Sequence, residues 1–216
     1  MKTQPTQLRT RAGFTMIELL AVLLIISILV VVLMVTLRDT KKATEVELTK
    51  TLLLKLEAAA KHYQNDNGAA PLSSFQAGQE TSNDGLNVGI EAFVVAMWSK
   101  KYEAGNLLAE VRDQLVNTDG DRSTKQLTDF DTRDLLEIPD PWGSPIAYIE
   151  RTDYALTNRR YQTYDVETGE PIETVPTAFK NKATGQYFAA QSCQFISAGP
   201  DCRFGTEDDI TAFQRE

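Results

Sequence analysis

The residues best placed to do chemistry lie near the C-terminus. There the run Ser197-Ala198-Gly199-Pro200-Asp201-Cys202-Arg203-Phe204-Gly205-Thr206-Glu207-Asp208-Asp209-Ile210 sets three aspartates among forced turns. Gly199-Pro200 and Gly205 bend the chain, so Asp201, Asp208 and Asp209 would meet if the segment closes into a loop. Three carboxylates brought together repel unless a cation neutralises them. A hard, oxygen-loving ion is needed, and calcium accepts irregular loops where magnesium demands a tighter octahedron. A solvated acidic tail is the alternative reading of the same residues. Asn117-Thr118-Asp119-Gly120-Asp121 opens like an EF-hand loop, but Arg122 stands where glycine is required and Thr128 where the bidentate glutamate belongs. A solvated turn is the better reading there. The single histidine, His62, argues against His-ligated metals and His-dependent hydrolases, and two cysteines are too few for a disulfide scaffold.

A second chemically pointed residue is Glu18. It sits immediately before Leu19–Leu37, a stretch of 19 residues without a charge. As a helix this run reaches roughly 28 Å, close to the thickness of a bilayer core. A secretory signal peptide would have a shorter apolar region followed by a small-x-small cleavage site, whereas Arg38-Asp39-Thr40-Lys41-Lys42 follows here. A plain signal anchor has no reason to carry an acid at its entry, where a carboxylate costs free energy. The third reading is a precursor cut before the apolar run. The alternative for Glu18 itself is an ordinary first-turn acid favoured by the helix dipole. Lys2, Arg9 and Arg11 precede the run and put its N-terminal end in the cytoplasm.

These residues require elements to position them. Val46, Thr49, Leu53, Leu56, Ala60 and Tyr63 recur at three- and four-residue spacing, widened by Leu52 and Ala59, and no proline occurs between Phe14 and Asn65. The pattern predicts one helix, apolar all round in its first half and amphipathic in its second, ending at Asn65-Asp66-Asn67-Gly68. Gly89–Lys100 and Asn106–Val116 read as short helices. Strands are expected at Pro145–Ile149, Tyr161–Glu167, Pro171–Val175, Gln186–Ala190 and Gln191–Ser197. Helix first and strands last predicts an α+β fold: a long N-terminal helix packed on a head with an antiparallel sheet. Of 216 residues, 42% are hydrophobic and the net charge is −8, which excludes wholesale disorder and argues against a nucleic-acid partner. No P-loop and no catalytic constellation is visible, so the chain reads as a non-enzyme; a membrane-tethered hydrolase working through carboxylates is a distant alternative.

Gly13-Phe14-Thr15-Met16-Ile17-Glu18-Leu19, behind a basic leader and ahead of an apolar helix, resembles the processing motif of type IV pilins and type II secretion pseudopilins. The resemblance implies cleavage between Gly13 and Phe14 by a prepilin peptidase, methylation of the new amine, and a role for Glu18 in assembly. Many members carry a proline at the place of Val35, and its absence here implies a stiffer helix. Asp140-Pro141-Trp142-Gly143 ahead of an apolar strand, together with the C-terminal run, is similar to the major pseudopilin of type II secretion, with Trp142 expected to be buried. That similarity implies a calcium loop with Asp201, Asp208 and Asp209 as side-chain ligands and Ala198 and Thr206 as carbonyl ligands. Cys202 departs from it, standing where a small turn residue such as glycine is usual.

The organisation then expected is a leader over 1–13, a transmembrane assembly helix over 14–37, the amphipathic half of the helix over 38–67 and a periplasmic head over 68–216. Cys193 and Cys202 would both face the oxidising side of the membrane, and a bridge between them is expected, with two unpaired thiols as the alternative. The implied partners are further copies of the chain, the prepilin peptidase, other pseudopilins with an inner-membrane assembly platform, and the membrane itself. The expected role is a periplasmic filament subunit driving protein export, powered by a separate cytoplasmic ATPase. A surface type IV pilin or minor pilin, serving adhesion or DNA uptake, is the alternative.

Overall fold

The computed structural model describes residues 14–76, 79, 85–99, 102 and 105–213. The chain divides into two compact units, Met1–Ala43 and Thr44–Glu216. Helix α1 (Met16–Asn67) contributes to both. It contains neither proline nor glycine, and it stops at Gly68, whose φ of +80° and N–H bond to the Gln64 carbonyl (2.8 Å) form a left-handed cap.

In the first unit, Met16–Met34 is long and apolar enough to cross a membrane by length and composition. Its polar groups are satisfied within the helix. Ser27 Oγ donates to the Leu23 carbonyl (2.8 Å) and Thr36 Oγ1 to the Leu33 carbonyl (2.9 Å), the arrangement that lipid demands of a hydroxyl.

The second unit is α+β, with antiparallel sheets. One face of its α1 segment, formed by Thr49, Leu53, Leu56, Ala59 and Ala60, is buried, as the spacing predicts. Leu53, Leu56, Ala59 and Ala60 join a core that also takes in α2 (Val88–Met97) and the sheet. A 3-10 turn, Gly105–Leu108, runs into the single-turn α3 (Ala109–Arg112). Strands β1 (Ala147–Glu150), β4 (Cys193–Ser197) and β5 (Ile210–Thr211) form an antiparallel sheet in the order β1-β4-β5, while β2 (Tyr161–Tyr164) and β3 (Pro171–Thr174) form a separate hairpin. β1 and β4 are buried on both faces, polar Glu150, Gln194 and Ser197 included. Phe93 of α2, Tyr148 of β1 and Phe195 of β4 stack at centroid distances of 4.8–5.0 Å and lock helix to sheet. Gly89 is required at that seam, because a Cβ there would lie 2.2 Å from the Tyr148 carbonyl oxygen.

Three expectations are corrected. Gln186–Ala190 is not a strand; Tyr187 makes one isolated bridge to Lys180, and a turn follows it in which Ala189 has a φ of +48°. Asn106–Val116 is helical only to Arg112, because Gln114 N–H bonds back to Val111 and Val116 pairs instead with Glu137. Trp142 is half-buried, since Asp140-Pro141-Trp142-Gly143 forms a turn ahead of β1 rather than part of the sheet.

Candidate functional site

Gly13 lies outside the described residues. Phe14 is exposed at 83%, ahead of the first turn of α1. Glu18 does a definite job in that turn. Its Oε2 accepts from Thr15 N (2.8 Å) and Thr15 Oγ1 (2.7 Å), while Thr15 Oγ1 accepts from Glu18 N (3.3 Å). This is a reciprocal capping box, which satisfies the otherwise orphaned N–H groups of a helix start. The Thr-x-x-Glu spacing carried that signal in the sequence. The carboxylate thus has local partners in an isolated subunit, and Phe14 lies four residues before it, ahead of the helix.

The C-terminal loop closes as a β4–β5 connection. Ile196 pairs with Thr211 and Ser197 with Ile210, bringing both ends of residues 198–209 together. Gly199, at φ +71°, packs so tightly that a Cβ would sit 2.1 Å from the Asp208 carbonyl oxygen. Phe204 anchors the loop, edge-on to Tyr161 (5.5 Å), and Arg203 ties it to Asp165 beyond β2 (2.8 Å). Among the expected ligands, Ala198 and Asp209 are buried, Asp201 and Thr206 are half-buried and Asp208 is exposed. Asp201 Oδ1 accepts from Arg203 N (2.9 Å) and Asp209 Oδ2 from Gly205 N (2.9 Å). The loop thus carries all five residues on one β4–β5 connection, but two of its carboxylates are turned onto their own backbone, and Asp201, Asp208 and Asp209 do not converge within 4.8 Å of one another. Its donor set, all hard oxygen on one closed loop, fits calcium chemically.

Cys193 and Cys202 are free, buried thiols, and the expected bridge is corrected. Cys193 opens β4 opposite Glu150, with Ser192 and Tyr148 beside it. Cys202 follows the far end of the strand, beside Ser144 and Asp140. The strand between them rises roughly 13 Å, whereas a disulfide needs Cα atoms within about 7 Å. Burial pushes the Cys193 thiol up to about 11 and raises that of Cys202, so neither is poised as a nucleophile.

The Asp-Pro-Trp-Gly segment reaches the same loop. Asp140 Oδ1 accepts from Trp142 N (3.0 Å) and Ser144 N (3.0 Å), and Oδ2 accepts from Ser197 Oγ (2.7 Å) at the loop entrance. Burial pushes Asp140 up to about 6 despite these donors. A group that the sequence did not single out lies elsewhere: Glu91, Asp119 and Glu137 bring carboxylate oxygens within 4.8 Å of one another. Asp119 belongs to the acidic turn noticed in the sequence, but its partners are distant in the chain.

Residues 8–34 match the family model described as the prokaryotic N-terminal methylation motif. The chain carries a prepilin-type N-terminus. That match, with the apolar helix it covers, supports a type IV pilin-like protein anchored by a single N-terminal span. Such proteins are processed by a prepilin peptidase and are structural rather than enzymatic. Comparison with curated proteins and with solved structures gives no match.

Proposed function

We propose that this chain is the structural subunit of a type II secretion pseudopilus, which polymerises through its N-terminal helix and helps to move folded proteins across the outer membrane. The observation that carries the reading is the methylation motif over residues 8–34, in register with an apolar helix that opens on Glu18. Removal of the leader before Phe14 frees a cationic amine four residues from Glu18. In an assembled filament that amine and a neighbouring subunit's Glu18 compensate each other's desolvation and set the axial stagger. Thr15 keeps the carboxylate capped until a neighbour arrives.

The C-terminal loop supports a pseudopilus over a surface pilus. Asp201, Asp208 and Asp209, with the carbonyls of Ala198 and Thr206, would hold a calcium ion that replaces the backbone donors now facing Asp201 and Asp209. The ion supplies positive charge that lets the acidic loop close firmly against β4 and β5. Calcium is expected to raise the melting temperature of the detergent-solubilised chain, and Asp208→Ala with Asp209→Ala to abolish that rise. A wild-type chain indifferent to calcium removes this part of the reading. The central test is mass analysis of the membrane-extracted protein, which should begin at a methylated Phe14; a product that begins at Met1 refutes the assignment. A filament displayed on the cell surface rather than in the periplasm would refute the pseudopilus and favour a pilin.

A further inference from the structure

Glu91, Asp119 and Glu137 come from three separate parts of the second unit: the first turn of α2, the turn at 117–121 and the segment that pairs Glu137 with Val116. Glu91 and Glu137 are both 0% exposed. Asn87, in the left-handed region at φ +51°, sits among them. Its Nδ2 faces Thr118 Oγ1 (3.0 Å), Asp119 Oδ2 (3.1 Å) and Glu137 Oε1 (3.1 Å), while its Oδ1 accepts from Gln162 N (3.0 Å). Glu137 Oε2 also accepts from Thr118 N (2.9 Å). Asn87 Nδ2 has two hydrogens for three oxygens, and the Thr118 hydroxyl itself donates to Glu137 Oε1 (3.2 Å); Asn87 and Thr118 are neutral donors.

We propose that Glu91, Asp119 and Glu137 share a proton that the second unit takes up on folding, so that the seam joining α2, the 117–121 turn and β2 weakens as the pH rises. Three full negative charges within 4.8 Å, two of them on fully buried side chains, are the costly alternative. Among the described residues, the carboxylates facing Glu137 are Glu91 from α2 and Asp119 from the turn. The Tyr161 phenol of β2 interacts with Glu91; burial chiefly disfavours its ionisation, the Glu91 charge adds to that, and the Arg159 charge opposes it. Burial first, then the Asp119 charge, push Glu137 up to about 8. The sign follows. Below the ordinary carboxylate range both folded and unfolded chains carry the proton. Between that range and about 8 only the folded chain keeps it, so stability falls through this window. The seam has mechanical reach, because Gln162 Nε2 and Tyr164 OH both donate to the Thr118 carbonyl (2.7 and 3.2 Å). Loss of the proton therefore strains the tie between the turn and the β2–β3 hairpin.

The test is thermal unfolding of the full-length chain in detergent micelles, followed by tryptophan fluorescence between about pH 6.5 and 9, a window that excludes Asp140. The wild-type melting temperature should fall by roughly 4–8 °C across it. Asp119→Asn and Glu91→Gln should each flatten the fall, whereas Glu167→Gln, an exposed acid outside the cluster, should preserve it. Infrared spectroscopy of the wild type, which needs no variant to fold, should show a protonated-carboxyl band at neutral pH that disappears above about pH 9. A melting temperature that is level or rises with pH, variants that keep the full slope, or the absence of that band would each overturn the proposal. So would abolition of the slope by calcium in the Asp208→Ala, Asp209→Ala chain, since a cation would then stand where the proton is placed.

Discussion

Gly199→Ala is expected to damage the C-terminal loop far more than Gly205→Ala, although the two glycines lie in the same loop and both have positive φ. At Gly205, φ is +85° and a new Cβ meets nothing within 4 Å. The substitution costs only the left-handed backbone term, about 1–2 kcal/mol. At Gly199, φ is +71°, and the same methyl would lie 2.1 Å from the Asp208 carbonyl oxygen and 2.9 Å from its carbon. Those are backbone atoms, so no side chain can swing aside, and the loop must open. Overpacking of this kind adds about 1–3 kcal/mol, for a total of roughly 2–5 kcal/mol. At about 2–4 °C per kcal/mol, Gly205→Ala should lower the melting temperature by roughly 2–8 °C and Gly199→Ala by roughly 4–20 °C. Thermal unfolding by tryptophan fluorescence reads both, using Trp98 in the core and Trp142 next to the loop entrance. The difference is the informative quantity, because the backbone term cancels between the two variants. Equal losses would show that residues 199 and 208 are not in contact, and the closure argument would fail.

Three other outcomes follow from the geometry. Glu18→Ala should leave membrane insertion intact, since it removes a charge from the entry of an apolar helix, but should stop filament assembly; normal filaments from that variant, counted by electron microscopy, would contradict the role given to Glu18. The unfolded protein should alkylate at two thiols, and its intact mass should not change with reductant, because Cys193 and Cys202 lie at opposite ends of β4. Asp140, pushed up to about 6 by burial, holds a proton in the folded chain that the unfolded chain has released, so its contribution declines from about pH 4 to 6. Asp140→Asn should reduce that part of the pH dependence of the melting temperature while lowering stability overall, through two N–H groups left facing an imperfect acceptor.

Features governed by local physics could be read directly from the chain. The absence of proline and glycine from residues 14–67, and the stripe of Thr49, Leu53, Leu56 and Ala60, specify one helix and its buried face. Tyr161–Tyr164 and Pro171–Thr174 pair across a turn that Thr168-Gly169 announces. The capping box at Thr15 and Glu18 was present as spacing but was overshadowed by the question of why an acid precedes an apolar run. Gln186–Ala190 failed as a strand because its pairing stops at the single Lys180–Tyr187 bridge and the chain turns at Ala189, whereas Cys193–Ser197 found β1 and β5 on either side.

The sequence by itself determined the apolar helix, its processing signal, the amphipathic face and the turn residues that let the C-terminal segment bend. These depend on neighbours three to five positions apart, where spacing and residue type suffice. Only the tertiary structure decided that Gly199 would press on Asp208, that Cys193 and Cys202 would be separated by the length of β4, and that Glu91, Asp119 and Glu137 would converge around Asn87. Each of those outcomes is set by strand register and by packing between residues far apart in the chain, where no local pattern specifies the partner.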